Sequence, residues 1–209
     1  MDEIIPNELT AWDINTINRL VNLPHIESET FDFKGYQLDG CKELYADICG
    51  MANVSGGYLV LGIDEIKDKK GKLLKFEKNG FQLSKHKNDV EDRINDAIAE
   101  IEPLLKVEKH IVEDRELFYP ILKIIPDEIN KPYFARNICY IRINSSSHRA
   151  SRNIVMNLFH NLIQKRNDIQ KLNACLKALI EEIQFTSKKI KSTSISNQFE
   201  RIIPINWYI

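Results

Sequence analysis

The 209-residue sequence predicts an α+β fold: a mixed β-sheet packed with helices, followed by a C-terminal α-helical coiled-coil extension. Three patterns predict it. Phe31 and Phe33 alternate with Asp32 and Lys34, the two-residue period of a strand with one apolar face. Leu59, Leu61 and Ile63 repeat that period after the Gly56-Gly57 turn. From Val155 to Ile190 apolar residues recur at alternating three- and four-residue spacing, the signature of a helical seam.

Each element has its own signal. Residues 10–20 read as a short lead-in helix ending near Pro24. Residues 27–34 form an acidic strand, and residues 41–52 carry a helical pattern in Leu44, Ile48, Met51 and Ala52, closed by Asn53 and the glycine pair. A second strand runs from Tyr58 to Ile63, with Asp64 ending its opposite row. A polar hairpin or loop over residues 66–72 follows. Val90, Ile94, Ile98 and Ile101 space a helix that Pro103 stops at about Glu102. Strands over 107–112 and 117–125 flank the turn at 113–116, and a strand over 138–143 completes the sheet.

The last quarter changes character. Val155, Leu158, Leu162, Ile169, Leu172, Leu176, Leu179, Ile183 and Ile190 share one heptad row, broken only by Lys165 and Thr186. Such a row predicts a homo-oligomer through residues 155–190; the alternative is one or two amphipathic helices folded back on the first domain. Ser192-Thr193-Ser194 is expected to loosen the helix, and the apolar tail 202–209 needs a docking surface. The expected division is a domain over 1–153 and a helical oligomerisation segment with its tail over 154–209.

Composition narrows the function. With 43% hydrophobic and 28% charged residues the chain can bury a core. No apolar run approaches a membrane span, and Met1-Asp2-Glu3 does not begin a signal peptide, so the expected location is cytoplasmic, with no membrane partner. Cys41, Cys49, Cys139 and Cys175 are scattered without metal-ligand spacing, which predicts reduced thiols. A net charge of −1 supplies no global attraction for nucleic acid, so any such surface must come from local clusters. Phosphate-loop, nucleophile-elbow and dinucleotide-glycine motifs are missing.

If the two acidic strands pair, Asp32 and Asp64 can sit side by side with Glu27 just before them. Three carboxylates beside Lys34 suit a divalent cation and phosphodiester chemistry. Lys67, Lys69, Lys70 and Lys72 cluster on the polar hairpin, either as a phosphate-contacting arm or as an ordinary solvated loop. Arg142, His148, Arg149 and Arg152 surround a serine-rich turn read as leading into a helix, where an anion is favoured.

The run Glu27-Ser28-x-x-Phe31-Asp32-Phe33-Lys34, then Ala52-Asn53-x-x-Gly56-Gly57-Tyr58-Leu59-x-x-Gly62-Ile63-Asp64, resembles the AlbA-like domain of the Schlafen family. Lys131-Pro132-Tyr133, Tyr140-x-Arg142-x-Asn144-Ser145-Ser146 and Ala150-Ser151 continue the resemblance over roughly residues 20–160. It implies nucleic-acid binding, and for some Schlafens metal-dependent cleavage of tRNA and rRNA, with a place in antiviral defence by analogy. Carried over by position, the three acids fall on Glu27, Asp32 and Asp64 or its neighbour Glu65, with Mg²⁺ or Mn²⁺ as cofactor. The implied partner is tRNA-like RNA or DNA. The alternative is a non-catalytic, dimeric DNA- or RNA-binding module acting as a transcription regulator or adaptor. Two positions depart from the family: Asp32 replaces a glutamate, which draws a metal one methylene closer to the strand, and Asn144 replaces a glycine. Asn tolerates the left-handed backbone that the glycine provides.

Overall fold

The structure, a computed structural model, describes residues 5–23, 26–35 and 43–200, with side chains described to residue 186. Its contacts divide the chain into two units, Met1–Leu162 and Ile163–Ile209. The first is the predicted α+β arrangement.

A 3₁₀ turn (Leu9–Ala11) and α1 (Ile14–Leu20) lead in, and an Asp13 carboxylate oxygen caps α1 by accepting from the Thr16 backbone N–H at 2.7 Å. Strand β1 (Phe31–Lys34), helix α2 (Leu44–Ala52) and strand β2 (Gly57–Leu61) form a parallel unit in which Asp32 lies opposite Leu59. Parallel neighbours need a crossover, and α2 supplies it. Both faces of β1 are therefore covered. Phe31 and Phe33 enter one core with Trp12, Val60 and Tyr119. The opposite face, carrying Asp32 and Lys34, lies on the side where Leu59 and Leu61 pack with Leu44 and Ile48 of α2. The tight approach of β1 to β2 demands glycine: a Cβ on Gly57, at φ +134, would fall 1.9 Å from the Thr30 carbonyl oxygen.

The second acidic strand does not run straight to Asp64. At Gly62 (φ +88) the chain turns out of the sheet, and β3 (Ile63–Lys67) pairs instead with β4 (Leu73–Lys78) as a separate hairpin. Its tip is closed by an Asp68 carboxylate oxygen that accepts from the backbone N–H groups of Lys70 and Lys72, both at 2.8 Å.

Strand β5 (Phe81–Gln82), helix α3 (Leu83–Ala99) and strand β6 (Ile101–Glu102) follow. Helix α3 buries Val90, Ile94 and Ala97 and ends short of the expected boundary, because Glu102 before Pro103 is held extended in β6. Strands β7 (Lys106–Asp114) and β8 (Leu117–Ile125) pair as expected. Strand β8 is the middle of the five-stranded sheet: β7 lies along one edge, and β2 and β5 share the other in the order β1-β2-β8-β5.

Strand β9 (Phe134–Ala135) pairs with β6. Strand β10 (Tyr140–Ile143) does not complete the main sheet; it forms a hairpin with β11 (Ser146–Arg149). The serine-rich run first pairs back on β10 as β11, and the expected helix starts after it at Arg152, with Ser151 Oγ accepting from the Ile154 backbone N–H at 3.4 Å. Asn144 sits at φ 55, the left-handed position its residue type tolerates. The hairpin rests on α2 at Gly50, where a Cβ would come within 3.0 Å of Ser147 Oγ. Buried Asn53 ties the end of α2 to the same region, donating to the carbonyls of Tyr133 (2.8 Å) and Tyr140 (2.7 Å) and accepting from Tyr133 N–H (2.7 Å).

Helix α4 (Arg152–Glu200) spans the boundary between the units. It continues through Ser192-Thr193-Ser194, where loosening was expected, and every described side chain from 163 to 186 is exposed. The Ile190 side chain and the apolar tail 202–209 lie outside the described residues. No described helix is long and apolar enough to cross a membrane.

Candidate functional site

A polar cavity of about 250 Å³ opens beside the end of β1. Glu27, Asp32 and Lys34 reach it from β1 and the segment before it, Glu65 and Lys67 from β3, and Ser145 and Ser146 from the β10–β11 turn. Two hairpins therefore flank the acids.

Asp32 is only 1% exposed. Its Oδ2 lies 2.8 Å from Arg142 Nη2 and 2.9 Å from Lys34 Nζ, both ion pairs with angles outside hydrogen-bond geometry. Arg142 is as deeply buried, at 2%, and donates from Nε to the Ser28 carbonyl and from Nη2 to the Ser145 carbonyl, each at 3.0 Å. Lys34 also lies 3.6 Å from Asp47 of α2, and Asp47 accepts from the Ser147 hydroxyl at 2.8 Å. Burial opposes the charge on Lys34, but the Asp32 and Asp47 carboxylates outweigh it and hold the ammonium above the usual lysine range.

Glu27 accepts from the Phe33 backbone N–H at 3.3 Å. Burial, hydrogen bonding to Glu65 and the neighbouring charge of Asp32 push its carboxyl up to about 9. At neutral pH Glu27 is protonated. Burial disfavours the charge on Glu65 too, yet the hydrogen bond from Glu27 and the ion pair with Lys67 outweigh it and hold Glu65 below the usual carboxylate range. One proton thus stands between two acids, the state in which crowded carboxylates relieve their repulsion.

Five of the sequence-derived residues meet at this cavity: Glu27, Asp32, Lys34, Lys67 and Glu65, the alternative third acid. Asp64 does not. Its neighbour Glu65 takes the place, because successive residues of β3 face opposite ways. Asp64 instead accepts from Asn79 Nδ2 and lies against Gly35, where an added Cβ would fall 1.3 Å from its Oδ1. The pairing of Asp32 with Asp64 expected from one continuous strand is lost at the Gly62 turn. Arg142 is also corrected: buried on Asp32, it is an internal counter-ion and presents nothing to a phosphate. Lys69, Lys70 and Lys72 are exposed on the β3–β4 tip, and His148, Arg149 and Arg152 are exposed along β11 and the start of α4. Asp47 was missed, although an acid within the Leu44-Ile48-Met51 helical face is itself a signal of a buried charge that needs a partner.

Among the described residues no group of three His, Cys, Asp or Glu is arranged as a ready metal site. The donor chemistry of Glu27, Asp32 and Glu65 nevertheless suits a hard divalent cation, and the proton on Glu27 relieves the repulsion that a cation would otherwise neutralise.

This mixed sheet, with its crossover helix and acidic cavity between two hairpins, defines an α+β domain. The Schlafen, AlbA_2 family model matches residues 27–151, more than half of the chain, and the chain belongs to that family. The N-terminal domain of a RecG-related protein from Nitrosomonas europaea is similar at 19% identity and a TM-score of 0.44, over 61% of this chain and 84% of that one. The DIP2311 protein from Corynebacterium diphtheriae is similar at 16% identity and a TM-score of 0.40; the match covers 66% of this chain but only 30% of that protein. No curated protein matches the chain.

Removing the buried acid has a calculable cost. Asp32→Ala leaves Arg142 buried without its charge partner, and unfolding in urea should show a loss of about 3–5 kcal/mol. Asp32 therefore serves the fold as well as the cavity.

The protonation of Glu27 sets a pH dependence. Its folded value of about 9 exceeds the ordinary 4.5, so folding takes up a proton between those limits. The associated stability is complete below the ordinary value and is lost as pH rises towards the folded one. Unfolding free energies across that window should fall with pH, and Glu27→Gln, neutral throughout, should flatten the slope.

Proposed function

We propose that this domain is a metal-dependent endoribonuclease of Schlafen type acting on structured RNA such as tRNA. The convergence of Glu27, Asp32 and Glu65 on one cavity beside Lys34 carries this reading. Mg²⁺ or Mn²⁺ held by Asp32, Glu65 and Glu27, with the Glu27 proton released to solvent as the cation enters, would activate a water and neutralise charge on the scissile phosphate. The other groups act on the substrate directly. Lys34, 27% exposed at its side chain, binds a non-bridging phosphate oxygen. Ser145 and Ser146 supply hydroxyl groups on the opposite wall. Lys69, Lys70 and Lys72 grip the flanking backbone from the hairpin tip, contacts that need only cations on a reachable loop. Asp32 cannot donate freely, since Lys34 and Arg142 already neutralise it. That observation favours a second reading, a non-catalytic RNA- or DNA-binding module.

Incubating total tRNA with the protein in Mn²⁺ or in EDTA separates the two. The nuclease cleaves in Mn²⁺ alone, Glu65→Gln reduces cleavage to background, and Asp64→Asn leaves it unchanged. Retained cleavage by Glu65→Gln would overturn the assigned acid set. RNA that is retarded on a gel but stays whole in Mn²⁺ marks the binding module.

The second unit adds self-association. Ile169, Leu172, Leu176, Leu179 and Ile183 are exposed along one row of α4, and pairing two copies buries them together. Light scattering should report at least a dimer, which combined Leu172→Asp and Leu179→Asp substitution converts to a monomer. A wild-type monomer at every concentration would end this assignment.

A further inference from the structure

The β10–β11 hairpin has its turn at the acid cavity and its open end, Tyr140 opposite Arg149, at a second cluster. There the Arg136 guanidinium lies over the Tyr45 ring, its central carbon 4.5 Å from the ring centroid. Arg136 Nη2 is held by Glu100 Oε1 at 3.0 Å. Tyr45 meets Tyr140 edge-on, with centroids 6.1 Å apart and planes at 68°, and Arg149 stands opposite Tyr140 across the hairpin. The guanidinium is thus anchored on one face and along one edge, while the side chain stays 54% exposed.

The backbone beneath it is unusual. Arg136 and Asn137 sit consecutively at φ 50 and φ 64, in a two-residue turn closed by paired Ala135–Ile138 hydrogen bonds of 2.9 Å each. Glycine or asparagine suits such positions, and arginine does not. The chain holds an arginine where its backbone disfavours one, and fixes its plane from below. Strain of this kind gathers at ligand clamps.

We infer that Arg136, Tyr45, Tyr140 and Arg149 form a subsite for one unpaired nucleotide of the RNA substrate. A nucleobase stacks on the outer face of the Arg136 guanidinium, continuing the stack that Tyr45 begins, and Arg149 takes the adjoining phosphate. This rests on the RNA-directed reading of the cavity. Tyr140 and Arg142 share one face of β10, so the subsite and the Asp32 pair lie along the same strand. From Tyr140 to the turn at Ile143 is about 10 Å, roughly three stacked nucleotides. The subsite would place a flanking unpaired base while the scissile phosphate sits at the acids, so the preferred substrate is a single-stranded or looped segment.

The test measures binding of the full chain in EDTA, where cleavage cannot interfere. The probes are a short single-stranded RNA and the same backbone with abasic residues. Wild-type protein should prefer the base-bearing RNA by about tenfold, the scale of one stacked base. Arg136→Lys keeps the charge but loses the plane, so it should bind the abasic chain as wild type does and lose the preference. Arg136→Asn relieves the backbone, so it should melt at or above the wild-type temperature while also losing the preference. Retention of the preference by either variant overturns the subsite. So does a lowered melting temperature in Arg136→Asn, which would make the arginine a structural brace. Wild-type binding without base preference refutes the subsite alone; no RNA binding at all refutes the nuclease reading with it.

Discussion

The buried pair between Asp32 and Arg142 is the constraint around which the first unit is arranged. Burying two charges costs several kcal/mol per ion, so the pair survives only where further groups satisfy it. Here the partners come from separate parts of the chain. Lys34 contributes from the same strand, Asp47 from the crossover helix through Lys34, and the carbonyls of Ser28 and Ser145 from either side of Arg142. The β10–β11 hairpin meets the rest of the unit through this charge and through its contact with Gly50.

The acid cavity carries both signs of charge within a few residues. Lys34 and Arg142 neutralise the innermost acid, while Glu27 and Glu65 share a proton at the rim. A divalent cation and a phosphate each need one half of such an arrangement. The near-zero net charge of the chain leaves its cations local, on the β3–β4 tip and along β11. Long-range steering is weak, so any nucleic-acid surface has to rest on such local groups.

Much of this was legible in the residues. The alternation around Phe31 and Phe33, the glycine pair, the α3 row and the β7–β8 pair each carry a local period that survives folding. Glu27, Asp32 and Lys34 were found because they sit next to those periods in a motif. Arg142 was found for the wrong role. An arginine between isoleucines reads as a surface cation until its counter-ion, 110 residues earlier, is brought against it.

Local sequence settled β1, β2, β7, β8, the helices and the candidate acids at 27, 32, 64 and 65, since periodicity and turn chemistry depend on near neighbours. Tertiary structure alone decided which acid faces the cavity. The left-handed Gly62 sends β3 out of the sheet and turns Glu65 towards Glu27, while Asp64 goes to Asn79. It also decided that Asp32 is buried, because the face opposite Phe31 and Phe33 is exposed or covered according to where α2 and the β10–β11 hairpin dock. A strand's alternation says which residues share a side. What lies on that side depends on chain that returns from far away in sequence, and no local pattern encodes it.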